Sequence, residues 1–385
     1  MWRHIVSNFL TLLVVAIFLL GGVILWGQSQ YNSAGPNSAP ICLRVEPGST
    51  MRRVSRQLEE EGAVRSGAIF RIGADYGDRT GDLKAGSWLI PQGASMGEIT
   101  EIITRGGAST CGTEVVYRVG VTESQVVVRE LDTASGRYEE RAAFDPLAEG
   151  ERPEIFEQVR ERKDTRYRIA FAEGVTSWQV VEGLKAVDVL SGEVAPVPAE
   201  GTLAPDSYEV RSGDARADLI ERMRAAQTEI LAAAWANRAE GLPVATPEEA
   251  LILASIIEKE TGIPEERRQV ASVFVNRLKR GMRLQTDPTV IYGLTEGRGV
   301  LGRGLRQSEL RRATPWNTYL IDGLPPSPIA NPGRASIEAA LDPASTDYIF
   351  FVADGTGGHV FAVTLEEHNR NVVKWRQIEA ERGNN

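Results

Sequence analysis

Two glutamates, Glu258 and Glu260, stand near the end of an apolar run and are the clearest candidates for chemistry in this sequence. A carboxyl group can serve as a general acid when its surroundings keep it protonated near neutral pH. At about 100° per helical residue, Glu260 falls between Leu253 and Ile256 on the apolar face, whereas Glu258 lies toward the polar side. Burial and the negative end of a helix dipole both disfavour a charged carboxylate. Glu260 is therefore the candidate acid and Glu258 the candidate structural residue; the alternative for Glu260 is an ion pair with an arginine.

Two later segments mix polar and aromatic residues as sugar-binding sites do. The segment MRLQTDPTVIYGL contains Gln285, Thr286 and Asp287, and ATPWNTYLIDGLPPSPIANPG contains Asn317 and Tyr319. Amide, hydroxyl and carboxylate groups hydrogen-bond to sugars, and an aromatic ring offers an apolar face. Composition alone is equally compatible with loops packed over a core, and Asp287 is also suited to cap the turn before the following proline.

The helix that positions Glu260 has clear start and stop signals. Thr246 is a good N-cap, a proline follows it at the first helical position, and Glu249 completes a capping box. Gly262 and Pro264 predict its end. The pattern therefore predicts a helix that carries the candidate acid in its last turn.

The N-terminus predicts a membrane anchor. Residues 9–26 contain no charge, and at about 1.5 Å per residue a helix of this length just spans a bilayer core. A cleavable signal peptide is the alternative, but its apolar core usually runs only about 7 to 15 residues. Arg3 precedes the run and the first basic residue after it is Arg44, so the positive-inside rule predicts a cytoplasmic N-terminus and an exported remainder.

Composition excludes several classes of protein. The net charge of -9 argues against nucleic-acid binding, and three histidines with two cysteines cannot supply a zinc cluster of the usual spacing. A protease or esterase is disfavoured because the chain has no S-x-x-K motif. In an exported chain, Cys42 and Cys111 can form a disulfide or remain two buried thiols, and the sequence leaves both open.

The predicted fold class is α+β, and the 385 residues suggest two or three domains. Residues 1–27 form the cytoplasmic tip and anchor, and residues 28–40, rich in Gly, Pro, Ser and Asn, read as a flexible spacer. Residues 41–107 form a small α+β unit. A strand-rich insertion and connector follows at 108–165, and a larger mixed α+β domain occupies 166–385.

Five separated motifs carry a family resemblance. In order, they are LASIIEKET, VASVFVNRLKRGMRLQTDPTVIYGL, TPWNTYLIDGLPPSPIANPG, FFVADGTGGHVF and the pair His368-Asn369. They closely resemble the endolytic murein transglycosylases, the MltG or YceG-like family of bacterial inner-membrane proteins, over roughly residues 166–375. The anchor, the spacer and the small unit at 41–107 also match the layout of this family, in which that unit is LysM-like. The insertion at 108–165 departs from it by its length.

The resemblance implies an activity and a site. Members of the family cleave the β-1,4 bond between N-acetylmuramic acid (MurNAc) and N-acetylglucosamine (GlcNAc) within glycan strands, leaving a 1,6-anhydro-MurNAc end and releasing or terminating new strands. The catalytic glutamate of the family corresponds to Glu260, and no metal or cofactor is implied. The implied partners are peptidoglycan strands and peptidoglycan synthases, and the implied location is the inner membrane with a periplasmic catalytic domain. The residues implied to line the glycan cleft are Gln285, Thr286, Asp287, Asn317 and Tyr319.

The alternative function is a non-catalytic, membrane-anchored scaffold that binds peptidoglycan.

Overall fold

A computed structural model describes residues 2–148, 150–194 and 196–383. Its helices and strands confirm the α+β class. The chain divides into two compact units, of which the first comprises Met1–Val116, Val127–Phe144 and Gly150–Tyr167. The second comprises Tyr117–Val126, Asp145–Glu149 and Arg168–Asn385. Neither unit is one continuous stretch of chain.

The first helix, α1 (Trp2–Asn32), is apolar over most of its length. Its segment Asn8–Asn32 is long and apolar enough to cross a membrane, and the large side chains from Phe9 to Trp26 are exposed on it. At about 1.5 Å per residue, the 31 residues of α1 extend beyond the roughly 30 Å of a bilayer core.

The predicted flexible spacer at 28–40 is ordered in the structure. Its first residues, 28–32, continue α1. The backbone N–H of Gly35 then donates to the Gly93 carbonyl at 3.0 Å, and the Asn37 side chain donates to the Pro91 carbonyl at 2.8 Å. Composition suggested free motion, but these tertiary hydrogen bonds hold the segment against the first unit.

The first unit contains a small α+β core. Strand β1 (Ile41–Val45) pairs antiparallel with β2 (Gly86–Ile90), so that Ile41 lies opposite Ile90. Fully buried side chains that pack around this strand pair include Leu43, Phe70, Ile90, Ile99 and Ile103. The helices of this core are α2 (Met51–Glu60), α3 (Gly67–Tyr76), the short 3-10 turn Thr80–Asp82 and α4 (Met96–Arg105).

Residues 108–165 hold three strands, and a helix lies in the part that composition predicts as a connector. These are β3 (Thr113–Val119), β4 (Ser124–Asp132), β5 (Arg137–Phe144) and α5 (Glu154–Arg160). With β6 (Arg166–Phe171) and β7 (Ser207–Val210), the three strands form a five-stranded sheet in the order β5-β4-β3-β6-β7.

The candidate acid lies on a helix at the core of the second unit. A buried cluster joins α8 (Pro247–Glu260) to α9 (Pro264–Lys279) and α12 (Arg334–Leu341). The remaining helices are α6 (Ser177–Lys185), α7 (Arg216–Ala236), α10 (Asp287–Thr295), α11 (Gln307–Leu310) and α13 (Leu365–Gly383). A hairpin of β8 (Phe350–Ala353) and β9 (His359–Ala362) completes the unit.

Cys42 and Cys111 are joined by a disulfide, which decides between the two readings that the sequence left open. The bond links residues 69 apart, both in the first unit. Cross-linking a loop of this length removes entropy from the unfolded chain and typically stabilises by roughly 2–4 kcal/mol.

Removing this disulfide is expected to loosen the first unit. In a Cys42→Ser, Cys111→Ser variant, amide exchange in β1 and β2 should accelerate by roughly 30- to 1000-fold, the equivalent of the 2–4 kcal/mol above. Hydrogen exchange with mass spectrometry of peptides measures it, and peptides from α8 and α9 in the second unit serve as the internal control. Unchanged exchange in β1 and β2 would show that the bond does not stabilise this unit.

Candidate active site

Helix α8 places Glu260 at its last helical position. At its start, the Thr246 side chain accepts a hydrogen bond from the Glu249 backbone N–H at 3.2 Å. The Glu249 carboxylate accepts from the Ala245 N–H at 2.6 Å rather than from the N-cap residue itself. At its end, Thr261 has an extended backbone. The predicted helix and its bounds are therefore present, with a slightly different N-terminal hydrogen-bond pattern.

The two glutamates of α8 have different surroundings. Glu258 accepts a hydrogen bond from the Gly333 backbone N–H at 2.9 Å, which ties α8 to the start of α12. Glu260 instead accepts a short hydrogen bond from the Thr286 hydroxyl. This divergence follows from the 200° that separates two positions on a helix. Glu258 thus has a structural partner within the fold.

The Glu260 carboxyl favours its protonated form. Burial is the main cause that raises its pKa, and the negative charge of Asp287 raises it further. The Thr286 hydrogen bond and the positive charges of His359 and Arg277 oppose this rise because each favours the carboxylate. The net effect is a raised pKa, as the helical position of Glu260 predicts.

Thr286 is held rigidly beside Glu260. It is 3% exposed, and its backbone N–H donates to the Thr318 hydroxyl at 3.1 Å. Thr318 in turn lies 2.8 Å from the Thr289 hydroxyl, and the Gln285 N–H donates to the Thr318 carbonyl at 3.2 Å. These contacts join the loop before α10 to the loop around Thr318, so two segments that are distant in sequence form one wall beside the acid.

Asp287 and Tyr319 form a second polar pair next to Glu260. The Tyr319 hydroxyl donates to the Asp287 carboxylate at 2.7 Å. Burial raises the pKa of Tyr319, and the neighbouring charges of Asp287 and Glu260 raise it further, so its hydroxyl stays protonated. Asp287 is exposed at the first position of α10, where its carboxylate has room to accept another hydrogen bond.

Gln285 and Asn317 differ from the other predicted cleft residues. Gln285 is exposed with a left-handed backbone at φ 48°, and its hydrogen bond to the Thr318 carbonyl is made by its backbone. Asn317 is fully buried; its amide group donates to the carbonyls of Leu310 and Arg312, and its side-chain oxygen accepts from the Tyr319 N–H. The Asn317 side chain therefore braces this loop from inside, and its binding to substrate stays a prediction.

The structure adds charged groups that the sequence reasoning missed. Arg277 is 8% exposed and donates to the carbonyls of Ile349 and Leu284. Glu266 accepts from the His359 backbone N–H and contacts the His359 ring nitrogen Nδ1, both at 2.9 Å. Arg277 and His359 are the two positive groups that act on Glu260.

A signal for two of these residues was present in the sequence. Glu266 and Arg277 fall at helical spacing with Val270 and Val273, on the apolar stripe of α9. Charged residues on a buried stripe are uncommon unless they are paired. His359 had no comparable signal because its contact with Glu266 joins positions 93 apart.

The chemistry available here is proton transfer and hydrogen bonding. A carboxyl with a raised pKa can donate a proton, and Thr286, Asp287 and Tyr319 surround it with hydroxyl and carboxylate groups. Within the part of the chain that the structure describes, no group of three or more His, Cys, Asp or Glu side chains is arranged to hold a metal ion.

Known proteins resemble this chain over most of its length. The endolytic murein transglycosylase of Bacillus subtilis (strain 168) is 28% identical over 358 residues, which are 93% of this chain and 91% of the relative. The protein of the same name from Streptococcus pneumoniae (strain D39) is 27% identical over 386 residues, and the match spans 96% of this chain but only 65% of the relative.

A solved structure and a family model also match. The crystal structure of a putative YceG-like protein from Listeria monocytogenes is 25% identical, with 86% of this chain and 98% of that chain covered and a TM-score of 0.46. The model of the YceG-like family matches residues 135–374, which include Glu260 and each of the residues around it. Because that match covers more than half of the sequence, the chain belongs to the YceG-like family.

Proposed function

We propose that this protein is an endolytic lytic transglycosylase that cleaves MurNAc-β-1,4-GlcNAc bonds within peptidoglycan strands and leaves 1,6-anhydro-MurNAc ends. The observation that carries the proposal is the carboxyl of Glu260, which is partly buried, has a raised pKa and is bonded to Thr286. The names of the relatives from Bacillus subtilis and Streptococcus pneumoniae support the same reaction.

In this reaction Glu260 acts first as acid and then as base. Its proton passes to the glycosidic oxygen while the bond from that oxygen to MurNAc C1 breaks. The C6 hydroxyl oxygen of the same MurNAc forms a new bond to C1, and its proton returns to Glu260. No water is consumed. Ordinary glycosidases need two carboxylates; here the nucleophile is intramolecular, so proximity replaces much of what the second carboxylate supplies.

The neighbours of Glu260 fit distinct roles in this scheme. Thr286 orients the carboxyl through its hydroxyl, and its backbone is fixed by the hydrogen bond to Thr318. Asp287 and Tyr319 bind sugar hydroxyls as acceptors, because the single Tyr319 proton is already donated to Asp287. Gln285 lies at the exposed rim. Arg277 stabilises the carboxylate that exists between the two proton transfers.

We further propose that the protein is anchored in the inner membrane by α1, with a cytoplasmic N-terminus and a periplasmic catalytic domain. The basic residue Arg3 before the apolar run supports this orientation. The disulfide supports an oxidising compartment. We assign residues 41–107 as a LysM-like unit that binds peptidoglycan, and peptidoglycan synthases as partners that supply new strands.

Replacing Glu260 with Gln is expected to abolish the formation of anhydro ends. The amide keeps the size of the side chain and can still accept from Thr286, but it cannot donate the proton, so turnover should fall by about 10²- to 10⁴-fold. Mass spectrometry of products from intact glycan strands measures this.

Glu248→Gln is the matched control, because Glu248 is exposed in the first turn of the same helix. Normal turnover by Glu260→Gln would remove Glu260 from the mechanism. If the wild-type protein binds strands but yields no anhydro ends, the chain acts instead as a non-catalytic anchored scaffold.

As pH rises, Glu260→Gln is expected to keep more of its free energy of unfolding than the wild-type protein. Since the folded pKa of Glu260 is raised, the folded chain retains a proton that the unfolded chain releases above about pH 4.3. The free energy of unfolding of the wild-type protein therefore falls as pH rises from the pKa of Glu260 in the unfolded chain toward its pKa in the folded chain. Glu260→Gln cannot lose this proton, so its free energy of unfolding does not fall for this reason. Urea unfolding across this pH range should show a gap that widens with pH in favour of Glu260→Gln. Parallel curves for the two proteins would contradict a raised pKa.

Replacing Thr286 with Val should move the alkaline limb of activity to higher pH. The Thr286 hydrogen bond lowers the pKa of Glu260, so its loss raises that pKa, and the acid stays protonated to higher pH. The pH profile of kcat/KM measures the limb. Thr228→Val, in which an exposed threonine on α7 loses a hydroxyl bonded only to the backbone of its own helix, should leave the limb in place. A shift to lower pH would refute the role given to Thr286.

A further inference from the structure

An apolar groove of about 880 Å³ lies within the first unit, between the end of α1 and the helices α3 and α4. One wall is formed by the last turns of α1. The other is formed by one face of α3 and by α4, which contributes Glu98 and Glu101. The side chains that matter are Val23, Ile24, Trp26, Ile69, Ile72 and Tyr76.

Tyr31 locks the two walls of this groove together. Its ring lies against Gly73 of α3, where an added Cβ would come within 2.2 Å of the ring. The Tyr31 hydroxyl also donates to the Thr100 hydroxyl of α4 at 2.8 Å. Gly73 is required here because any side chain would displace the ring. The groove is therefore built into the junction between α1 and the first unit.

The sequence of α1 sets the level at which the groove lies relative to a bilayer. Val23, Ile24 and Trp26 belong to the uncharged run 9–26, whereas Gln28 and Asn32, which also line the groove, belong to the polar turns after it. Where α1 spans a bilayer, the groove starts inside the hydrocarbon edge and ends among the headgroups. Trp26 at the boundary is typical of a residue at the membrane interface.

Helix α3 exposes large apolar side chains at this level. Ile72 is 70% exposed and Tyr76 is 86% exposed, and their i, i+4 spacing puts them on one face. Ile69 and Gly73 continue that face along the groove. This apolar surface is continuous with the lipid-facing surface of α1, so the medium that surrounds α1 also reaches the groove.

We propose that this groove holds an acyl chain of a bilayer lipid and that the Ile72–Tyr76 face of α3 rests in the membrane surface. The proposal depends on the membrane-spanning role of α1 given above and is independent of glycan cleavage. Its consequence is a fixed height for the first unit: α3 and α1 enter the bilayer together, and the Tyr31 contacts prevent the unit from lifting away.

Site-directed spin labelling of the full chain in phospholipid liposomes tests this proposal. Both native cysteines are joined in the disulfide, so a thiol-reactive nitroxide labels only an introduced cysteine. Ile72→Cys and Tyr76→Cys place the label at the groove, on side chains exposed enough to be replaced without disturbing a core. Asp75→Cys, on the same helix but outside the groove, is the matched control.

The readout is a ratio for each label: its accessibility to oxygen, which concentrates in lipid, divided by its accessibility to a nickel chelate, which stays in water. Labels at 72 and 76 are expected to show a ratio several-fold higher than the label at 75, in protein that floats with the liposomes. Equal ratios at all three positions would overturn the proposal, and so would failure of the chain to float. Labels at 72 and 76 that are shielded from both reagents would also overturn it, because a protein segment would then fill the groove. None of these readouts depends on glycan cleavage, so the outcome is separate from that of Glu260→Gln.

Discussion

The burial of one carboxyl at the end of a core helix is the constraint on which the rest of the candidate site depends. Leu253, Ile256 and Ile257 of α8 are fully buried, so the rotation of the helix is fixed and Glu260 must emerge where it does. A charged carboxylate in such a position is costly, and the protonated form is favoured. The packing of the second unit thus sets the charge state of its candidate acid.

The residues around the acid come from segments that only tertiary structure brings together. The buried Thr318 hydroxyl, bonded to the Thr286 backbone N–H and to the Thr289 hydroxyl, joins two loops into one surface, and Asn317 braces one of these loops from inside. Each of these groups is buried and bonded, so the surface is rigid. A rigid surface can hold a sugar ring in one orientation, which is what intramolecular attack by a C6 hydroxyl requires.

The sequence predicted the features that depend on local pattern. The bounds of α8, the different directions of Glu258 and Glu260, and the family itself were all readable, because capping, helical periodicity and ordered motifs are local signals. Composition could not reveal that Asn317 turns inward, since an amide next to a tyrosine looks the same whether it faces a ligand or the backbone. The ordered segment 28–40 was missed for a similar reason: its Gly, Pro and Asn residues are typical of linkers, and the hydrogen bonds that fix Gly35 and Asn37 join them to residues far along the chain.

A reaction in which one carboxyl serves as acid and then as base requires a pKa that is neither too high nor too low. Burial and Asp287 favour the protonated form that begins the proposed reaction, whereas Arg277 and the Thr286 hydrogen bond favour the carboxylate that must exist midway. A site with burial alone would hold the proton too tightly to give it up, and a site with cations alone would never hold it at neutral pH. The opposing groups around Glu260 balance the two states, and such a balance allows one residue to do the work that other glycosidases divide between two carboxylates.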